Sequence, residues 1–367
     1  MVVTQQQRHN GVYTGILSIK ESMTLLGKHQ YWTRRQALWL MAGAAGSLTL
    51  HACSKTAETP SAETMSASMG IVNWIGYTPL HIAQEKGFFK QLGLNLDVKV
   101  FGSNADANAA FVAGRLDGLG PVTSEAVVIA GKGKDYRIVL VEDTSVGGDG
   151  ILARNSIADI KDFKGKKIAV DRGAVSHFFL LEVLKEAGLR ENDITIVSVA
   201  PDAAAAAYQA GNVEIAVTYA PFLERANQAQ KDGRIIYDSS KMPTAITDLY
   251  IFDTKFTQTN RKAVEAFVEG IFKGLAFLNQ NPTEGLAIAA KRLNVTPESL
   301  AADLKGIKLP DASTNVEMLG SPQSDLYLLK SMNALGEFLV SQKQIQQVPD
   351  LTKVLEPKFV KVVQARL

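Results

Sequence analysis

The sequence predicts an α/β fold in two lobes, and three observations carry that expectation. Short apolar runs of strand length alternate with amphipathic helical segments from about Gly70 to Leu309, an order that produces parallel sheets covered on both faces. With 367 residues, 46% of them hydrophobic and 21% charged, the chain has enough length and apolar content for two lobes. The last third keeps helical spacing but hardly a strand, so a helical segment is expected to pack on the first lobe.

The N-terminal region reads as an address and not as part of that fold. Thr33-Arg34-Arg35-Gln36 looks like a twin-arginine export signal, and the apolar run 37–50 is too short to span a bilayer comfortably as a mature helix. Leu50-His51-Ala52-Cys53 resembles a bacterial lipobox, with His51 departing from the usual small residue, so Cys53 is the expected lipidation site and membrane anchor. Residues 1–53 are therefore assigned to the signal and 54–69, rich in Ser, Thr, Ala and Glu, to a flexible tether. An exported, extracytoplasmic location follows. Met23 is an alternative start for the same signal.

Beyond the tether, strands are predicted at 71–74, 96–101, 138–142, 150–153, 167–170, 194–199, 215–219, 235–237 and 249–252. Helices are predicted at 79–92, 105–113, 124–131, 176–187, 203–210 and 221–231, then at 261–279, 283–293 and 324–342. The stretch 165–189 shows the design most clearly: a short apolar strand, the turn Asp171-Arg172-Gly173, and a helix beginning near Ser176. Unpaired N–H groups at such a helix start suit a polar ligand group at the strand's carboxyl end.

Charge and residue counts exclude several classes. Lys plus Arg is 39 against 37 for Asp plus Glu, and no basic stripe is interleaved with aromatics, so nucleic acid is not an expected partner. One cysteine rules out an internal disulfide framework, and five scattered histidines lack ligand spacing, so neither a metal nor another cofactor is expected.

Trp74, Tyr77, Pro79, His81, Ala83, the block Glu85-Lys86-Gly87-Phe88-Phe89 and Gly93-Leu94 resemble the opening of extracytoplasmic solute-binding proteins of ABC importers, in the branch that includes nitrate, aliphatic sulfonate and taurine binders. The resemblance continues through Phe111–Asp117, Ile160–Ala169, Gly173–Leu184 and Ala204–Pro221, and covers roughly 70–290. It implies a type II periplasmic-binding fold, with two α/β lobes joined by two crossovers and closing on a ligand. Those crossovers are expected near 152–155 and 237–247, giving lobe one as 70–153 plus 246–367 and lobe two as 154–245. The resemblance also implies a monomer whose partners are a small molecule, an ABC permease and its ATPase.

Capture in such a cleft needs donors, acceptors and apolar walls at strand ends and helix starts. Candidates by that rule are Trp74, Tyr77 and Thr78; Asn104; Ser124; Asp143, Ser145 and Asp149 in the segment Val141–Ile151; Ser176 and His177; Tyr219 and Glu224; and Asp248. Asn104 and Ser124 would also serve as plain helix caps, and Asp143 and Asp149 as turn caps beside glycines. Carboxylates at a strand end favour a cationic or donor-rich nitrogen compound, such as a guanidinium, amine, urea-like or pyrimidine-type solute. Arg172 argues the other way, for an oxyanion, and the alternative ligand is an aliphatic sulfonate, taurine or nitrate.

Two other roles compete. Thiamine-pyrimidine synthases resemble this family but carry a cysteine-rich motif absent here, and no nucleophile-elbow, phosphate-loop or zinc-protease motif occurs, so the chain is not expected to be an enzyme. A ligand sensor for a membrane signalling partner would share the same export signal.

Overall fold

Two mixed sheets organise the chain. The computed structural model describes residues 64–242 and 245–367; the export signal, Cys53 and residues 54–63 of the tether lie outside the described residues. The first sheet holds β1 (Met65–Ile71), β2 (Leu94–Val100), β3 (Gly118–Leu119), β4 (Tyr136–Ser145), β10 (Thr247–Asp253) and β11 (Ile307–Lys308), in the order β11-β4-β10-β3-β1-β2. The second holds β5 (Asp149–Arg154), β6 (Lys167–Val170), β7 (Thr195–Ser198), β8 (Ile215–Tyr219) and β9 (Gly233–Asp238), in the order β7-β6-β8-β5-β9.

The expectation of purely parallel sheets is corrected by the strands that change sheet. β1 runs parallel to β2 and β3, and β6 runs parallel to β7 and β8. β10 is antiparallel to β3 and β4, while β5 is antiparallel to β8 and β9. The reason is the route of the chain. It leaves the first sheet at the carboxyl end of β4 and enters the second as β5; it leaves the second after β9 and returns as β10. A strand entering a sheet from the side where its neighbours end must run against them. Because β5 pairs with β8 and β9, the first passage between sheets falls at 146–148, ahead of the expected 152–155.

Helices cover the sheets. They are α1 (Thr78–Glu85), α2 (Phe88–Gln91), α3 (Asn104–Val112), α4 (Thr123–Gly131), α5 (Val175–Glu186), α6 (Pro201–Gln209), α7 (Phe222–Ala229), α8 (Thr254–Thr259), α9 (Arg261–Gln280), α10 (Pro282–Leu293), α11 (Pro297–Asp303), α12 (Ala312–Gly320), α13 (Leu328–Ser341) and α14 (Lys358–Gln364). The single helix expected over 79–92 is two, because Gly87 takes φ 71° and begins a second axis. The first strand starts at Met65, inside the stretch read as tether. None of the helices among the described residues is long and apolar enough to cross a membrane.

The C-terminal helices pack on the first sheet, as their apolar spacing requires, and they also complete it. β11 pairs with β4 only at Thr144 and Ser145, which leaves the backbone at Val141 without a strand neighbour on that side. Asn315 of α12, fully buried, takes that place: Val141 N–H donates to Asn315 Oδ1 at 2.7 Å, and Asn315 Nδ2 donates to the Val141 carbonyl at 3.1 Å. One side-chain amide thus imitates a strand. Asn315→Ala strands two buried backbone groups and should cost about 2–4 kcal/mol, read as a lower midpoint in denaturant unfolding; an unchanged midpoint would show that water or relaxation replaces the amide.

Candidate functional site

The site is built where the first strand ends. After Ile71 the backbone bends at Asn73, is extended again at Trp74, turns in a short 3₁₀ segment at Ile75–Tyr77, and enters α1 with Pro79 at its start. Trp74 is buried, and its indole Nε1 donates to Asp143 Oδ2 at 2.7 Å. Gly76 is what allows this approach: a Cβ there would lie inside the Asp143 carboxylate and against the indole nitrogen. Tyr77 is locked in the same way, its hydroxyl donating to the Gly120 carbonyl at 2.7 Å, with no room for a side chain at position 120. Trp74 then meets Tyr219, from the end of β8, edge to face at 5.6 Å. Aromatic walls from both sheets are in contact.

Carboxylates gather behind and between those walls. Asp143 on β4 and Asp248 on β10 are directly opposed in the antiparallel register, which sets like charges side by side. Asp149 opens β5 opposite Tyr219; its backbone N–H donates to Ser145 Oγ at 3.2 Å, and Ser145 Oγ lies 2.7 Å from Ser239 Oγ. Asp149 Oδ2 and Asp143 Oδ1 are buried without a partner. Burial pushes the Asp149 carboxyl up to about 6, opposed by its hydrogen bond with Ser145. Burial also raises Asp143 and Asp248; the Trp74 hydrogen bond restrains Asp143, and the neighbouring Asp143, Asp149 and Glu125 raise Asp248 further. Glu142, fully enclosed behind them, is raised well above its ordinary range by burial and by Asp143 and Asp248. No ion pair to any of these four carboxylates occurs among the described residues.

Two adjoining cavities open from this wall. The inner one, about 40 Å³, is bounded by Val72, Trp74, Tyr77, Asn104, Gly120, Val122, Asp149, Val175, Tyr219, Ile246 and Asp248. The outer one, about 700 Å³, shares Val72, Asn104 and Tyr219 with it and adds Ser124, Glu125, Asp171, Arg172, Asp202 and the turns before α3, α5 and α6. Five carboxylates face the two cavities, against one guanidinium. That guanidinium, on Arg172, is mostly exposed and lies 2.6 Å from Glu191.

Of the residues singled out in the sequence, Trp74, Tyr77, Asn104, Ser124, Asp149, Tyr219 and Asp248 line these cavities. The others do not. Thr78 Oγ1 donates to the Ile75 carbonyl, Asp143 stands behind Trp74, and Ser145 is paired with Ser239. Helix α5 begins at Val175, so Ser176 and His177 turn into its buried face, where His177 Nδ1 accepts from Gly173 N–H at 3.3 Å; Val175 borders the inner cavity in their stead. Glu224 accepts from Gln228 on α7, away from the lining. The residue that sequence reasoning passed over is Glu125, beside Ser124 in the first turn of α4. Its signal was an acid at a helix start, which reads as ordinary dipole compensation. No group of three His, Cys, Asp or Glu among the described residues is placed to hold a metal ion.

The raised carboxyls make the empty protein sensitive to pH. Asp149 holds its proton to about 6 in the folded chain against an ordinary 3.8, so stability from this group is present at low pH and falls as pH rises between those values. Asp149→Asn removes the buried charge and should stabilise the ligand-free protein by about 1–3 kcal/mol at pH 8, with little effect near pH 4, in unfolding curves recorded at both. Equal shifts at the two pH values would contradict this assignment.

Residues 74–285 match the family model described as NMT1/THI5 like. The taurine-binding periplasmic protein of Escherichia coli (strain K12) is 28% identical over 199 residues, which are 52% of this chain and 60% of that protein. A putative aliphatic sulfonates-binding protein of Bacillus subtilis (strain 168) is 27% identical over 77% of this chain and 84% of its own length. The crystal structure of the periplasmic aliphatic sulphonate binding protein SsuA from Escherichia coli superposes with a TM-score of 0.67 at 18% identity, over 81% of this chain and 99% of that one. That likeness shows the two-sheet periplasmic-binding fold. The family match, spanning more than half of the chain, shows in turn that this protein belongs to the NMT1/THI5-like family.

Proposed function

We propose that the protein is the extracytoplasmic solute-binding component of an ABC importer, capturing a small nitrogen-bearing, positively charged solute between its two lobes and presenting it to a permease and ATPase. The transport role rests on the family and on the names its relatives carry. The charge of the solute rests on one observation: Asp149 and Asp248 border the inner cavity with no basic side chain beside them. A buried carboxylate without a counter-ion is costly, and a cationic ligand supplies the missing charge.

Closure over Trp74 and Tyr219 would exclude water and strengthen that attraction. The two sheets are in this reading the two lobes, and the link at 146–148 is part of the hinge between them. Export and lipidation at Cys53 belong to the same proposal, since the capture has to occur outside the membrane. A binding role without catalysis is supported by the relatives, which carry the names of binding proteins.

A second reading is favoured by the relatives: an aliphatic sulfonate or taurine as the solute. It would have to place its sulfonate among the outer cavity's helix starts, near Ser124 and Arg172. The two readings differ in sign with pH. A cation needs Asp149 ionised, so its affinity should fall about tenfold from pH 8 to pH 5, following the carboxyl near 6. A sulfonate should hold or gain affinity over the same interval. Thermal-shift screening of guanidine, amines, ureas, pyrimidines, taurine, alkanesulfonates and nitrate, followed by titration of any hit at both pH values, decides between them. Stabilisation by taurine or an alkanesulfonate, with none by nitrogenous cations, would remove the first reading.

A further inference from the structure

The inner cavity is too small for a whole solute. Its volume of about 40 Å³ compares with the roughly 10–15 Å³ that one water needs, so it takes a head group of a few non-hydrogen atoms. Whatever carries that head must continue past Val72, Asn104 and Tyr219, the residues common to both cavities, into the outer space of about 700 Å³. The charged groups lining that outer space are Glu125, Asp171, Asp202 and Arg172.

Glu125 is held in place as a ligand group would be. It stands in the first turn of α4, with the amide side chains of Asn104 and Asn108 on α3 beside its carboxyl and opposing the rise that burial causes. Asn104 borders both cavities, so it ties the outer carboxylate to the mouth of the inner one. No ion pair to Glu125 occurs among the described residues, and burial pushes its carboxyl up to about 7, with Asp171 contributing in the same direction. The inner carboxylate is equally uncompensated: Asp149 is 3% exposed and its Oδ2 has no partner. Two acidic positions therefore face two adjoining cavities, with Tyr219 bordering both.

We propose that the solute carries two positively charged nitrogen groups, the inner one held by Asp149 and Asp248 and the outer one by Glu125, as in a short aliphatic diamine or a guanidino-amine. This rests on the reading of the protein as a binder of cationic nitrogen compounds and narrows it. Methylene groups joining the two ends lie against the aromatic walls, and the outer end meets the acidic field of Glu125 and Asp171.

Isothermal titration of the full-length chain at pH 8 tests this with 1,4-diaminobutane, agmatine, butylamine, taurine and butanesulfonate. The diamine or agmatine should bind at least about tenfold more tightly than butylamine, and Glu125→Gln should remove most of that preference. The wild-type comparison needs no variant, so it stands even if Glu125→Gln fails to fold. Equal affinity for butylamine and the dications overturns the two-ended solute while leaving the cationic reading intact. Binding of taurine or butanesulfonate with none by any amine overturns both, and absence of binding by both dications overturns the two-ended solute.

Discussion

A carboxylate withdrawn from water needs donors, and in this protein the hydrogen bond from the Trp74 indole to Asp143 is the one that holds the site together. Gly76 leaves room for it, the turn into α1 is shaped around it, and the ring it fixes forms the wall that Tyr219 meets from the other sheet. Beside it the register of β4 and β10 forces Asp248 against Asp143. The pair cannot both be charged cheaply without a compensating cation.

The same positions follow from topology. β5 and β10 are the strands that arrive from the opposite sheet, so they run against their neighbours and bring their first residues to the edge where the parallel strands end. Asp149 opens β5 and Asp248 is second in β10. Both acids are thus delivered to the ligand edge by the two links between sheets, and a change in the angle between sheets moves them directly.

The fold was largely legible because its periods were. Strands at 167–170 and 215–219 have the predicted ends, and most helices begin within two residues of expectation. What escaped were the short helices α8, α11, α12 and α14, the strands β3 and β11, each two residues long and too short to show alternation, and the antiparallel sense of β5 and β10, which depends on the route between sheets. Aromatic residues after a strand and an aspartate beside glycines, Trp74, Tyr77 and Asp149, lie against the inner cavity. Those signals could not distinguish Asp149, open to the cavity, from Asp143, six residues earlier and turned behind Trp74. Glu125 was invisible for a different reason. Its partners Asn104 and Asn108 lie on another helix, and only packing brings them to it. Family likeness has a similar limit: it carries the fold and the location of the cleft, while the lining decides the ligand.

The central proposal is that the inner cavity, bordered by Asp149 and Asp248 with no basic side chain in its lining, takes a positively charged nitrogen group of the solute. Its most direct test is to isolate the protein from the cells that make it, denature it, and identify the released small molecule by mass spectrometry. A stoichiometric amine or guanidinium compound is the result this account predicts. A sulfonate or another anion without a cationic group, recovered at the same stoichiometry, would contradict it.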